Sequence, residues 1–117
     1  MNTRQTIEQY FNSLEQRASW QDLLADDMSF TSFTSPIKHV EGRAAFLEAT
    51  KRFYSNIAKV EVRRLMIDGD HGCALTRYEL HPPNGAVIQS DVAEVFAVSN
   101  GKITSLEIYF DSAPFPK

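Results

Sequence analysis

The sequence predicts an α+β fold, and three observations carry that reading. Amphipathic helical stretches come early, at Thr3 to about Arg17 and at Arg43 to Asn56. Runs rich in β-branched and aromatic residues come late, from Val60 onward. The last two runs flank Ser99-Asn100-Gly101-Lys102. Asn-Gly between apolar runs marks a hairpin, because both residues tolerate the positive φ of a tight turn.

In the first helix Ile7, Tyr10, Phe11 and Leu14 recur at i, i+3, i+4 and i+7, which gives one apolar face. Thr3 or Thr6 is the expected cap. Trp20, Leu23 and Leu24 predict a short helical turn, ended by Asp26-Asp27. Met28 to Thr34 reads as a strand, with Phe30, Ser32 and Thr34 on one face. Pro36 breaks it, and Ile37 to Val40 is a short edge strand. Gly42 opens the second long helix, whose stripe is Phe46, Thr50, Phe53 and Ile57 with Leu47 and Tyr54 beside it. Val60–Ile67, Cys73–His81, Ala86–Val98 and Ile103–Asp111 then form an antiparallel meander, followed by a tail from Ser112 to Lys117.

In Ala86–Val98 one face holds Val92, Glu94, Phe96 and Val98, and the other holds Asp91, Ala93, Val95 and Ala97. A sheet apolar on both sides needs cover on both. Helices cover one side, and a second copy of the chain is the simplest cover for the other, so a homodimer is expected. Glu94 stands out, because a carboxylate on an apolar strand face is costly without a partner or a task.

The chain has 117 residues, which suits one domain over residues 1–117. A net charge of −3 argues against a nucleic-acid surface. The single cysteine, Cys73, excludes an internal disulfide and suits a cytoplasmic location. No run approaches the roughly 20 apolar residues of a membrane span, and MNTRQTIEQYF carries no secretory signal pattern. The three histidines are isolated, without the spacing of a metal site. No Gly-rich phosphate loop is present, so neither metal nor cofactor is expected.

Several strings together resemble the nuclear transport factor 2-like superfamily, in the branch of the SnoaL-like polyketide cyclases and ketosteroid isomerases. They are Tyr10-Phe11, Leu24 to Phe30, Glu41 to Phe46, Val95 to Ile103, and Tyr109-Phe110-Asp111. The likeness spans nearly the whole chain. It implies a cone-shaped, curved mixed or antiparallel sheet wrapped around the N-terminal helices, a cystatin-like roll with a small-molecule pocket. Against ketosteroid isomerases, Tyr10 matches the oxyanion-hole tyrosine and Glu94 the protonated acid, while Ser32 stands where the base belongs. Against limonene-epoxide hydrolases, Arg77-Tyr78-Glu79 matches an Arg-x-Asp string, while Ile108 stands where the second aspartate belongs. Neither constellation is complete.

Arg77 and Glu79, two apart on one strand, face the same side. One reading puts them in the interior with Glu94 as a polarising pair; the other makes Arg77 and a carboxylate a satisfied ion pair or a wet rim. Tyr10 is either a pocket hydroxyl or core. His39 lies near the expected mouth, either solvated or replacing the missing base. Ser32, Trp20, Phe46, Phe96 and Ile108 are the other expected pocket residues. The resulting expectation is a cofactor-free general acid–base enzyme of isomerase, cyclase, dehydratase or hydrolase type, acting on a small apolar or aromatic substrate. The alternative is a non-catalytic small-ligand binding or dimerisation domain.

Overall fold

The computed structural model describes residues 1–34 and 36–115; Pro116 and Lys117 of the expected tail lie outside them. Helices α1 (Thr3–Glu15) and α2 (Arg43–Ser55) accompany strands β1 (Leu24–Ser32), β2 (Lys38–Glu41), β3 (Ile57–Asp68), β4 (His71–Leu80), β5 (Ile88–Ser99) and β6 (Lys102–Phe110). A 3₁₀ turn at Trp20–Leu23 leads into β1. The strands form one curved sheet in the order β2-β1-β6-β5-β4-β3. Every neighbouring pair is antiparallel except β1 and β6, which run parallel. The α+β architecture is the one expected. Its sheet stays open, with β2 and β3 as free edges, and does not close into a barrel.

The apolar stripe of α1 folds as its spacing predicts: Ile7, Tyr10, Phe11 and Leu14 are all buried. The cap differs from expectation. Asn2 accepts from the Gln5 backbone N–H at 2.8 Å while the Gln5 side chain accepts from the Asn2 N–H at 3.0 Å. This reciprocal pair satisfies two otherwise orphaned donors. It frees Thr3 to donate to the Gly69 carbonyl and Thr6 to donate to the Asn2 carbonyl.

β1 begins at Leu24, so Asp26 and Asp27 lie inside a strand and do not end a turn. They are tolerated because both are exposed, and Asp26 meets Arg43 at 2.7 Å. The β1–β6 register also shifts between Leu24 and Ser29. Ile57, expected on the α2 stripe, is the first residue of β3 and is still buried. The hairpin joining β5 and β6 is the one Asn100-Gly101 predicts, with φ of 53° and 73° and Ser99 paired to Lys102. That register sends Val92, Glu94, Phe96 and Val98 inward together.

α1 crosses the inner face of β3 to β6 and plugs one end of the roll. There Tyr10 and Phe96 pack edge to face with centroids 5.6 Å apart, and Phe11 and Phe96 do so at 5.8 Å. α2 lies against β1 and β2 on the other side. Between α2 and the far half of the sheet the interior stays empty, and that space is the candidate site.

Gly72 lies close beneath the plug. A Cβ there would collide with Cδ1 of Ile7 and come within 3.0 Å of Cδ1 of Ile67. Both atoms are the far ends of flexible side chains that can shift, so Gly72→Ala should cost about 1 kcal/mol of stability, the low end of overpacking. A denaturant midpoint unchanged from wild type would contradict this close approach.

Candidate functional site

A cavity of about 610 Å³ opens between α2 and strands β1, β2, β4, β5 and β6. Its walls are mainly Phe30, Phe53, Val92, Leu106, Ile108 and Phe110, with Tyr54 and Tyr78 adding aromatic faces. Such volume and apolarity suit a small organic ligand. Among the described residues, Glu94 is the one carboxylate in the lining and Lys38, at the mouth, the one cation.

Alternation along β4 and β5 builds the centre. Gly72, Ala74, Thr76, Tyr78 and Leu80 are the buried positions of β4, and Ala74 pairs with Glu94 across the ladder. Thr76 and Tyr78, further along the same face, reach back to the carboxyl. The Tyr78 hydroxyl donates to Glu94 Oε2 at 2.7 Å and the Thr76 hydroxyl donates to the same oxygen at 2.8 Å. Oε1 has no hydrogen-bond partner among the described residues. With Oε2 accepting twice, the proton of the acid form belongs on Oε1.

Glu94 is only 3% exposed. Burial pushes its pKa up from 4.5 to about 7, against the opposing pull of the Tyr78 and Thr76 hydrogen bonds. Burial likewise raises the Tyr78 pKa, and the neighbouring Glu94 charge adds to it, so the phenol stays protonated as a donor. A short hydroxyl–hydroxyl contact of 2.6 Å joins Tyr10 to Tyr54. Burial raises both of their pKa values as well. Tyr54 stacks on Trp20 with centroids 4.2 Å apart and planes 21° from parallel, so its ring is held as a rigid wall.

The structure brings together three of the expected site residues: Glu94, Ser32 and Ile108 all face the cavity. Arg77 and Glu79 require correction. They occupy the odd-numbered, outward face of β4, and the cavity face carries Thr76 and Tyr78 instead. Arg77 is paired with Asp91 across the ladder and forks onto its carboxylate at 2.9 and 3.0 Å. That pair raises the Arg77 pKa and lowers that of Asp91. Glu79 meets His81 Nε2 at 2.8 Å.

Tyr10, Phe96 and Phe46 are core, fully buried outside the cavity lining, because α1 and the start of α2 pack directly on them. The Tyr10 hydroxyl is spent on Tyr54, so it does not reach Glu94 by hydrogen bond. Trp20 backs Tyr54 and opens onto a separate shallow groove beside α2. His39 alternates with Lys38 on β2 and faces away, with Nδ1 at 2.7 Å from the Thr31 hydroxyl and Nε2 at 3.4 Å from Glu41. It cannot replace a base at Ser32.

Thr76, Tyr78, Tyr54 and Ser90 are site residues that the sequence reading did not name. Ser90 is 1% exposed, and its hydroxyl is the one buried side-chain polar atom without a partner among the described residues. No group of three His, Cys, Asp or Glu side chains able to hold a metal occurs among the described residues. No helix among them is long and apolar enough to cross a membrane.

Residues 7–106 match the SnoaL-like domain, and the chain belongs to that family. No curated protein sequence matches it. Among solved structures it is similar to a proposed isomerase from Bacillus subtilis, at 17% identity, TM-score 0.80, and coverage of 97% of this chain and 91% of that one. It is similar to an LEH-like epoxide hydrolase of M. tuberculosis at 21% identity, TM-score 0.77, and coverage of 94% and 83%. A de novo designed protein with a curved β-sheet also matches, at 22% identity, TM-score 0.70, and coverage of 93% and 84%. Likeness at this level establishes the fold and leaves the chemistry to the site.

The raised Glu94 pKa has a consequence for stability. Below pH 4.5 the carboxyl is protonated in folded and unfolded chains alike. Between 4.5 and about 7 the folded protein keeps a proton that the unfolded chain has released, so stability falls as pH rises through that window and then levels. The Glu94 share of this fall is on the order of 3 kcal/mol at most. Glu94→Gln should flatten it, as read by denaturant midpoints of both proteins from pH 4 to 8. Parallel profiles would count against a raised pKa.

Proposed function

We propose that this protein is a cofactor-free general acid–base enzyme acting on a small apolar or aromatic molecule. The observation that carries the reading is a single protonatable carboxyl, Glu94, in an otherwise apolar cavity, with its pKa pushed up to about 7. A group titrating near neutrality can both give and take a proton.

In the acid form Oε1–H donates to a substrate oxygen, such as a carbonyl, hydroxyl or epoxide. The carboxylate left behind is held by the Tyr78 and Thr76 hydroxyls at 2.7 and 2.8 Å. These donors are in place before the reaction, in a site of low dielectric, where they count for more than they would in water. Among the described residues, no second carboxylate or histidine lines the cavity. The proton therefore shuttles on Glu94 alone, which fits isomerisation, dehydration, cyclisation or hydrolysis of a substrate already activated toward that step. Ser90 lines the same cavity, and its buried hydroxyl is unpartnered among the described residues.

A second reading, a non-catalytic carrier, is favoured by Ser32, which offers no base where ketosteroid isomerases keep one. In that case Glu94 only orients the ligand. For the whole molecule we propose a homodimer through the outer sheet face. That face exposes Leu75, Met66 and Tyr109, at 37%, 46% and 53%, around the smaller Ala93, Val95 and Ala97. A cytoplasmic location rests on the single free Cys73.

Turnover of a panel of neutral enones, epoxides and β-hydroxyketones by wild type and Glu94→Gln is the test. The enzyme reading predicts a loss of about 10²- to 10⁴-fold in the variant, with ligand binding kept. Wild-type activity should decline as pH rises above about 7, because the acid form is lost. Binding without turnover in either protein would select the carrier.

A further inference from the structure

The registers of four strands place a carboxyl and an ammonium on one line across the cavity. Glu94 on β5 pairs with Ile108 on β6. Ile108 pairs with Ser32 on β1, and Ser32 with Lys38 on β2. All four side chains line the cavity. Three strand spacings separate the ends, roughly 14 Å along the sheet at about 4.8 Å per strand, and both end residues line the same cavity.

The ends differ in environment. Glu94 is buried, whereas Lys38 is exposed at the mouth and makes no ion pair among the described residues. The lining between them is mainly Phe30, Ile108, Leu106 and Phe110, with the Ser32 hydroxyl as a polar break. A ligand lying along this row is apolar through its body. It presents an oxygen to the buried carboxyl at one end and meets a lone positive charge at the other.

From this row we infer that the cavity takes an organic anion: an apolar, ring-bearing acid. Its carboxylate or similar group sits on Lys38 and its body runs toward Glu94. This rests on the cavity being the ligand site, and it adds a substrate class to that reading. Lys38 is a specificity residue in this account. It contributes one ion pair at the solvent-exposed mouth, a modest and salt-sensitive preference.

Two fluorescent probes with the same ring system separate the possibilities. 8-Anilinonaphthalene-1-sulfonate carries an anion, and N-phenyl-1-naphthylamine does not. Wild type should bind the sulfonate about 3- to 10-fold more tightly than the neutral amine, with the advantage shrinking as salt rises. Lys38→Met should remove that advantage and leave the affinity for the amine unchanged. Ile108→Trp, which fills the cavity, should weaken both probes and so exclude binding on the outer sheet face. Equal affinities in wild type, or an advantage that survives Lys38→Met, would overturn the anion proposal while leaving the cavity as the ligand site. Failure of both probes to bind wild type, or binding insensitive to Ile108→Trp, would overturn the proposal and the ligand-site reading together.

Discussion

Two hydroxyls bonded to one buried carboxylate oxygen are the interaction on which the rest of the site depends. Tyr78 and Thr76 both donate to Glu94 Oε2. Removing water from a carboxyl costs several kcal/mol unless it stays neutral or is well bonded. Here it is partly both: the hydrogen bonds lower its pKa, burial raises it further, and the balance lies close to neutrality. More donors would lower the Glu94 pKa, and fewer would raise it.

That balance depends on packing elsewhere. Gly72 leaves room for Ile7 as α1 seats against the sheet, and the aromatic plug of Tyr10, Phe11 and Phe96 fills one end of the interior. Tyr54 and Trp20 form the wall between the cavity and the groove beside α2. Each buried aromatic or aliphatic side chain contributes about 1.5–3 kcal/mol. Together they offset the cost of leaving the other half of the interior unfilled.

Much of the fold was legible because it rests on short-range rules. The i, i+3, i+4, i+7 stripe of α1, the Asn100-Gly101 hairpin and the Val92–Glu94–Phe96 face each follow from a few adjacent residues. Glu94 followed from the alternation of one strand, and Ser32 and Ile108 from the family resemblance; all three line the cavity. Legibility failed where parity between strands mattered. Placing Arg77 and Glu79 inside inverted the face of β4, although the sequence held a signal against it: Ala74, Thr76 and Tyr78 bury more readily than Arg77 and Glu79. Asp91, on the outward face of β5, is also the natural partner of Arg77. Tyr54 was visible beside the α2 stripe, but its hydroxyl contact with Tyr10 joins residues 44 apart in the chain, which no local pattern encodes.

Sequence likeness places the chain in the SnoaL-like family, and shape likeness extends to a designed protein with a curved sheet. The central claim therefore stands or falls on one side chain: Glu94 gains or loses its proton near neutral pH because it is buried. The direct measurement is a ¹³C NMR titration of the Glu94 δ-carbon, assigned by its loss in Glu94→Gln. The account predicts a midpoint at about 7. A midpoint at the ordinary 4.5 would mean that water reaches the carboxyl, and the proton-shuttle role would be contradicted.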